Sequence, residues 1–105
     1  MRRAELKQLS QPELFFWATG IEDTFITAPY ASTGRILDEY ELTQHYDRWR
    51  EDIHLIRELG LSHARYGIPW HKINPQPNAW NWDFADKTLE LLLELGIEPI
   101  VDVVH

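Results

Sequence analysis

Polar and aromatic side chains stand at the expected ends of three strand-like segments of this 105-residue chain. In chain order they are Glu22, Asp23, Arg65, Trp70, His71, Asp102 and His105. Because the carboxyl ends of parallel strands meet at one rim, these side chains are expected to converge if the strands are neighbours. Charged groups and imidazoles hydrogen-bond hydroxyls, and an indole ring covers an apolar surface. The set therefore predicts a binding site for a polyhydroxylated ligand such as a sugar.

Structural roles compete with this interpretation at several positions. Glu22 and Asp23 also suit a loop or a helix cap. Arg65 lies inside a strand that is expected to be buried, so it requires a partner carboxylate. Asp102 stands an odd number of residues before His105, so the two side chains are expected on opposite faces and Asp102 is interpreted as structural.

No metal or cofactor is expected. The histidines have no metal-ligand spacing of the His-Glu-x-x-His type, and the glycines form no phosphate-binding fingerprint. Trp49 falls on a helical apolar stripe and is assigned to the core. Trp80 and Trp82 precede a helix, and simple packing is the favoured interpretation of both.

A repeated corner positions these residues. Glu58-Leu59-Gly60-Leu61 returns as Glu94-Leu95-Gly96-Ile97, 36 residues later, and each copy ends a helical pattern and begins a β-rich one. The repeat predicts an α/β fold with parallel strands, the N-terminal β-α-β-α-β portion of a (β/α)8 TIM barrel. A complete barrel of about 250 residues is much longer, so most of it is expected to be missing.

The predicted elements follow from periodicity and from turn residues. Strands are predicted at 14–19, 63–68 and 99–105, the last buried on both faces, and helices at 42–60 and 82–95. Residues 24–40 are predicted to be a long connection without regular structure, and 71–81 a loop. The domain prediction is a polar leader at 1–12 and a partial barrel domain at 13–105.

Composition limits the partners. The formal net charge is −7 and the sequence pI about 5.1, so neither nucleic acid nor an anionic membrane is an expected partner. There is no cysteine, and no apolar run approaches the length of a membrane span. The amino-terminal residues do not form a secretory signal, so a cytoplasmic location is expected. The oligomeric state is left open.

Four segments resemble glycoside hydrolase family 1, the group of β-glucosidases and 6-phospho-β-glucosidases. They lie at residues 15–23, 45–53, 64–73 and 96–105 and match in order the first strand, first helix, second strand and third strand of that family. The resemblance implies a (β/α)8 barrel that hydrolyses O-glycosides with retention. It also implies that Arg65 orients the catalytic nucleophile, that His105 binds sugar hydroxyls and that Trp70 supports the pocket floor.

Two departures from that family matter. Gly20 stands where the family usually has a sugar-binding Gln, and Glu22 or Asp23 is the hypothetical substitute. Retaining hydrolysis requires two carboxyl groups about 5–5.5 Å apart, and the family places both glutamates on strands that are expected beyond residue 105. This chain alone is therefore expected to lack catalytic residues, to be inactive and to be only marginally stable.

Two other interpretations remain open. The chain could be a non-catalytic sugar-binding or assembly module that is complete at this length. It could also belong to a different glycosidase family of the same barrel clan.

Overall fold

The computed structural model describes residues 15–103, so the predicted leader at 1–12 and His105 lie outside the described residues. Within this range the strands are β1 (Ala18–Ile21), β2 (Phe25–Ile26), β3 (Leu37–Asp38), β4 (His63–Gly67) and β5 (Glu98–Asp102). The helices are α1 (Glu39–Leu42), α2 (His45–Glu58), α3 (Trp70–Ile73) and α4 (Asp83–Glu94).

A parallel sheet confirms the predicted fold class. Its strand order is β1-β4-β5, and one level of the register aligns Gly20, Arg65 and Ile100. Helix α2 connects β1 to β4, and α4 connects β4 to β5, as in successive β/α units. The carboxyl ends of the three strands therefore lie at one rim, where the predicted site residues should meet.

The segment predicted to be a structureless connection at 24–40 contains regular elements, so that prediction is wrong. Strands β2 and β3 pair antiparallel, and α1 follows directly. The hairpin closes through a 2.7 Å hydrogen bond from the Gly34 amide to the Tyr30 carbonyl, with Gly34 in the left-handed region at φ 67°. Two-residue strands give too short a hydrophobic alternation to be recognised in sequence.

Helix α2 begins later than predicted. Its apolar stripe buries Trp49, Ile53 and Ile56, as the helical spacing indicated. Leu42, predicted at the start of that stripe, belongs to α1 and is 60% exposed. The two helices are separate because Gln44 has a left-handed backbone at φ 62°, which a continuous helix does not allow.

The core lies between the helices and one face of the sheet. Ala64 and Tyr66 of β4 are fully buried there, together with Leu92 of α4. Thr88 is also fully buried in α4, and its hydroxyl donates to the Phe84 carbonyl at 2.8 Å. That bond satisfies the hydroxyl and explains a polar residue in a core position.

The strand boundaries and the burial of the outer strands differ from prediction. Strand β1 runs from Ala18 to Ile21, and the aromatic residues before it are exposed, Trp17 by 72%. In β5, Ile100 and Val101 are each 41% exposed instead of buried on both faces. Among the described residues β5 has a partner strand on one edge only, and the helices cover only one face of the sheet. No helix within residues 15–103 is long and apolar enough to cross a membrane.

Candidate functional site

A cavity of about 300 Å³ opens at the carboxyl-end rim of the sheet. Its lining comes from the segment after β1, from β2, from the end of β4, from α3 and from the residue after β5. The lining residues are Asp23, Phe25, Thr27, Ile68, Pro69, Trp70, His71 and Val103. Apolar walls with a few polar groups are typical of small-molecule sites, and this volume is at the lower end of their range.

Arg65 lies between two carboxylates on the sheet face opposite the helices. Its Nε is 2.5 Å from Asp102 Oδ2, and its guanidinium is 3.7 Å from Glu22 Oε2. The prediction that Arg65 is buried was wrong, because its side chain is 50% exposed. The expected partner carboxylate is present and a second one joins it, one from each neighbouring strand end. Asp102, interpreted as structural, is thus a direct partner of Arg65.

Close approach of two chain segments brings these groups together. A Cβ atom placed on Gly67 would lie 3.2 Å from the backbone nitrogen of Asp23 and 3.3 Å from the Cα of Glu22. Both contacts are with backbone, which cannot rotate away. Glycine at the end of β4 therefore allows residues 22–23 to pass directly over it and reach the rim.

A buried network contains Asp23, and Asp38 is its second carboxylate. Asp23 accepts hydrogen bonds from the Tyr40 amide at 3.0 Å and from the Tyr46 hydroxyl at 3.4 Å. Asp38 accepts from the same hydroxyl at 2.8 Å and lies 2.9 Å from His71 Nε2. The two carboxylate side chains are only 3% and 7% exposed. The network joins the hairpin and α1 to the rim of the sheet.

The pKa values of the two carboxyl groups in this network are shifted in opposite directions. Burial, followed by the hydrogen bond to Asp38, raises the pKa of Asp23 to about 7. Burial opposes ionisation of Asp38 as well, but hydrogen bonds from Asp23, Tyr46 and His71 outweigh it and lower the pKa of Asp38. Below neutral pH the pair therefore holds one proton, which is carried by Asp23 and hydrogen-bonded to Asp38.

The same network offers three metal-ligand types. One ligand atom each from Asp23, Asp38 and His71 lies within 4.8 Å of the others. The two carboxylates approach different ring nitrogens, however, since Asp38 faces Nε2 and Asp23 faces Nδ1 at 3.9 Å. Only the 2.9 Å contact with Asp38 is short enough for a hydrogen bond, so the arrangement suits an Asp38–His71 hydrogen bond beside Asp23 better than a single ion bound by all three groups. The ring also stacks on Phe25, with centroids 3.8 Å apart.

Three tryptophans cluster beside the cavity. Trp70 lines it and contacts Trp80 and Trp82 edge-on, with ring centroids 5.8 and 6.1 Å apart. Trp80 and Trp82 have parallel rings with centroids 6.0 Å apart. The prediction that both simply pack is only partly correct, because they are 56% and 44% exposed.

A second buried polar network supports the fold beneath the rim. His45 bonds Asp52 through Nδ1 and the Tyr66 hydroxyl through Nε2, each at 2.7 Å. Burial raises the pKa of Tyr66, so its hydroxyl stays protonated at ordinary pH. Tyr66 is fully buried, so this network fixes α2 against β4 and does not present a reactive hydroxyl to a ligand.

The structure divides the predicted site residues into two groups. Glu22, Arg65 and Asp102 meet on the open face of the sheet, whereas Asp23, Trp70 and His71 lie around the cavity. His105 lies outside the described residues.

The sequence-based prediction of the site missed Asp38 and Tyr46. The available signal for Asp38 was its position before an acidic first helical turn, where an aspartate is a preferred N-cap. Tyr46 had no distinguishing signal, because it falls on the same helical stripe as the core residues.

The model of the family described as "Glycosyl hydrolase family 1" matches residues 18–105. Among curated proteins, Beta-glucosidase A of Thermotoga maritima is 40% identical over 65 residues, which are 58% of this chain and 15% of that protein. Cytosolic beta-glucosidase of Homo sapiens is 34% identical over 65 residues, 57% of this chain and 14% of that protein.

Solved structures give the same result. The beta-glucosidase from Thermotoga maritima in complex with castanospermine superimposes with a TM-score of 0.66 and 27% identity over 90% of this chain and 26% of that one. The chain thus spans between about a seventh and about a quarter of the length of these relatives.

Proposed function

The chain belongs to glycosyl hydrolase family 1, and from that membership we propose that it forms the first three strands of a barrel that hydrolyses O-glycosyl bonds. Its own contribution is to bind and orient a carbohydrate at the carboxyl-end rim. The two carboxyl groups of a retaining mechanism are supplied by other strands. The match to this family also excludes the alternative that the chain belongs to a different glycosidase family of the same barrel clan.

The observation that carries this proposal is the position of Arg65. Its guanidinium lies at the rim, half exposed and held by Glu22 and Asp102 from the adjoining strand ends. A fixed cation at this place lowers the pKa of a carboxyl group brought beside it and keeps that group ionised. An ionised carboxylate is the state that a glycosidase nucleophile requires. Arg65 is therefore proposed as the residue that orients the nucleophile.

The other rim residues are proposed to bind the sugar. Trp70 provides an apolar wall for one face of a pyranose ring, and Asp23 lies at the cavity wall, where a carboxyl oxygen can accept a hydrogen bond from a hydroxyl. Glu22 lies where it can accept from a hydroxyl on the open face. His105 keeps its proposed role as a hydroxyl-binding residue.

The proposed substrates are β-linked glucosides. Beta-glucosidases are the matched relatives, and the T. maritima structure was solved with castanospermine. No cofactor is needed for this chemistry, since two carboxyl groups and water suffice. The human relative is named a cytosolic enzyme, which supports the proposal of a cytoplasmic location.

Two measurements on the 105-residue chain test the proposal. Methyl β-D-glucoside should shift the amide resonances of residues 65–71 in heteronuclear NMR spectra, and Trp70→Ala should weaken the shifts because it removes the proposed apolar wall. The chain should not hydrolyse p-nitrophenyl β-D-glucoside above the buffer rate. Turnover would contradict the assignment of both catalytic carboxyls to other strands, and unshifted rim resonances would contradict the binding role.

A longer product of the same gene separates the enzyme from a non-catalytic sugar-binding module. The enzyme is expected to hydrolyse the aryl glucoside, with a loss of about 100-fold or more on Arg65→Ala, as for removal of one electrostatic catalytic group. Binding without hydrolysis in the longer product would favour the non-catalytic module instead.

A further inference from the structure

Asp23 and Asp38 mark the base of one surface hairpin. The hairpin comprises β2, β3 and the turn between them, residues 25–38. Asp23 lies two residues before β2, and Asp38 is the last residue of β3. Both carboxylates are buried, whereas residues 26–36 are all exposed. The base, and not the tip, therefore attaches this hairpin to the rest of the fold.

The two carboxylates share the same two hydrogen-bond donors. The Tyr40 amide lies 3.0 Å from Asp23 Oδ1 and 3.1 Å from Asp38 Oδ1. The Tyr46 hydroxyl lies 3.4 Å from the other oxygen of Asp23 and 2.8 Å from that of Asp38. Each donor carries a single hydrogen, so these two hydrogens cannot satisfy all four carboxylate oxygens. A proton shared by the two carboxyl groups supplies a further hydrogen bond at the hairpin base.

Within residues 15–103, His71 is the one ion-pair partner of the two carboxylates. Its Nε2 lies 2.9 Å from Asp38, but its Nδ1 lies 3.9 Å from Asp23, which is too far for a hydrogen bond. Ionised Asp23 would therefore lie beside ionised Asp38 in a nearly buried position, which burial and like-charge repulsion both disfavour. The other titratable side chains around the pair are Tyr40, Tyr46 and Lys72, with His45 and Tyr66 against the Tyr40 ring.

The hairpin forms one wall of the cavity at the rim. Phe25 and Thr27 line the cavity from the hairpin, and Trp70 and His71 line it from α3. The His71 imidazole stacks on Phe25 with ring planes 6° apart and also bonds Asp38. Among the described strands β2 and β3 pair only with each other, and a hairpin of two strands is marginally stable by itself. Its position against α3 therefore depends on the contacts at its base.

We propose that this hairpin is a pH-sensitive lid of the cavity, docked on α3 while Asp23 and Asp38 share a proton and released when both are ionised. Release separates Phe25 from His71 and widens the cavity. Helix α1 remains in place, because the Tyr40 hydroxyl is bonded to the end of β4 and not to a carboxylate. The lid goes beyond the proposed function and does not depend on which ligand the cavity takes.

The pH range of release follows from proton linkage. Burial, followed by the hydrogen bond to Asp38, raises the pKa of Asp23 to about 7, whereas a released Asp23 has its ordinary pKa of 3.8. The docked form keeps a proton that the released form has lost, so docking weakens as pH rises between these two values. The ratio of released to docked hairpin should therefore rise by about 100-fold from pH 5 to pH 8. The lowered pKa of Asp38 acts in the opposite sense, but only below its ordinary value.

Native-state hydrogen exchange of the 105-residue chain measures this ratio even when the released form is rare. The Glu39 amide donates to the Thr24 carbonyl at 3.1 Å, across the hairpin base, and is exposed to exchange by release. Dividing its exchange rate by the intrinsic rate at each pH gives the opening ratio. That ratio should rise about 100-fold from pH 5 to pH 8 and respond little to low urea concentrations. The Tyr66 amide, in the central strand β4, should open less often and with a strong urea dependence, because it opens only in global unfolding.

Neutral variants of the two carboxyl groups should abolish the pH response. In Asp23→Asn the new amide donates to Asp38 at every pH, so the opening ratio of Glu39 should change less than about threefold from pH 5 to pH 8. Asp38→Asn should have the same effect from the other side of the pair, and asparagine keeps the N-cap of α1. Asp86→Asn, at an exposed position of α4, is the matched control and should keep the wild-type response.

His71→Gln distinguishes the carboxyl pair from the imidazole as the titrating element. Glutamine keeps a donor for Asp38 but loses the stack on Phe25. The hairpin should therefore open more often at every pH, while the rise of about 100-fold from pH 5 to pH 8 remains. Amide spectra that overlay for β4 and α4 show that each variant folds.

Three results would overturn the lid. The first is an opening ratio of Glu39 that does not rise with pH. The second is equal opening and equal urea dependence of Glu39 and Tyr66, which would show that the hairpin opens only with the whole fold. The third is a pH response that persists in Asp23→Asn and disappears in His71→Gln, which would assign the switch to the imidazole. No sugar is present, so none of these results bears on the proposed function.

Discussion

The Tyr40 hydroxyl donates a 2.6 Å hydrogen bond to the carbonyl oxygen of Gly67, which joins α1 to the end of β4. Tyr40 is 1% exposed, although it belongs to a single helical turn next to an exposed hairpin. The backbone amide of the same residue donates to Asp23. Tyr40 thus holds the segment after β1, through Asp23, and the end of β4, through Gly67. Removal of its hydroxyl should therefore destabilise the rim.

Tyr40→Phe is expected to lower the free energy of unfolding by about 1–2 kcal/mol, because a buried carbonyl loses its donor while the ring packing is retained. Urea unfolding of the two proteins measures the difference. Tyr30→Phe is the control, since Tyr30 is 54% exposed and its change should be within about 0.5 kcal/mol. Equal stabilities for wild type and Tyr40→Phe would mean that water replaces the hydroxyl.

Gly67→Ala is expected to destabilise the chain by about 1–3 kcal/mol, the usual effect of an atom forced into packed structure. The new methyl group would meet the backbone of residues 22–23 at 3.2–3.3 Å. Gly20→Ala, on the neighbouring strand, meets nothing within 4 Å and should be neutral or slightly stabilising. Thermal unfolding of both variants makes the comparison, and a neutral Gly67→Ala would show that the segment after β1 can move away.

The network around Asp23 predicts that stability falls as pH rises. The folded-state pKa of about 7 is above the unfolded value of 3.8, so the folded chain keeps a proton that the unfolded chain has lost. The resulting stabilisation is complete below the unfolded pKa and disappears as pH rises through about 7. Asp38, with a lowered pKa, acts in the opposite sense but only below its unfolded pKa. Between about pH 5 and pH 8 the free energy of unfolding should therefore decrease, by about 2 kcal/mol.

Asp23→Asn should remove most of that pH dependence, because its amide donates to Asp38 as protonated Asp23 does and does not titrate. Urea unfolding at several pH values gives the slopes of the two proteins. Asp86→Asn, at an exposed position of α4, should keep the wild-type slope. A wild-type chain that is more stable at pH 8 than at pH 5 would refute the assignment to Asp23.

Asp102→Asn should lower activity without a comparable loss of stability. Arg65 is half exposed, and ion pairs of that kind contribute about 0–1 kcal/mol, so the free energy of unfolding should change by less than about 1 kcal/mol. Hydrolysis of the aryl glucoside by the longer product should slow, because the guanidinium that orients the nucleophile loses its partner. Glu51→Gln breaks an exposed pair with Arg48 on α2 and is the control for both measurements. Unchanged hydrolysis by Asp102→Asn would remove Asp102 from the site.

Long periodic elements could be predicted from the sequence. Helix α4 lies within one residue of its predicted bounds, and Gly60 and Gly96 have the left-handed backbone expected at helix ends. Both properties depend on neighbours a few residues away, which a sequence pattern records directly. The hairpin of β2 and β3 could not be predicted, because its stability depends on long-range contacts such as those of Tyr40 with Asp23 and Gly67.

Part of the candidate site could also be predicted, because strand ends can be recognised in the sequence. The convergence of Glu22, Arg65 and Asp102 follows from strand order alone, because all three stand near the ends of parallel neighbours. Burial does not follow from strand order. The prediction therefore missed that the side chains of Arg65, Trp80 and Trp82 are exposed. Burial depends on which face of the sheet the helices cover, and that is a property of the assembled layers.

The outward edge of β5 has a limited choice of partners. The Glu98 amide donates toward β4, to the Ser62 carbonyl, so the next residue, Pro99, faces away from β4. Proline has no N–H, and this edge therefore offers no donor at that position. The Pro99 carbonyl can still accept a hydrogen bond from an added strand, but the first amide of this edge that can donate to one is that of Val101. The proline thus removes one donor from this edge and leaves a shorter row of donors for unspecific pairing.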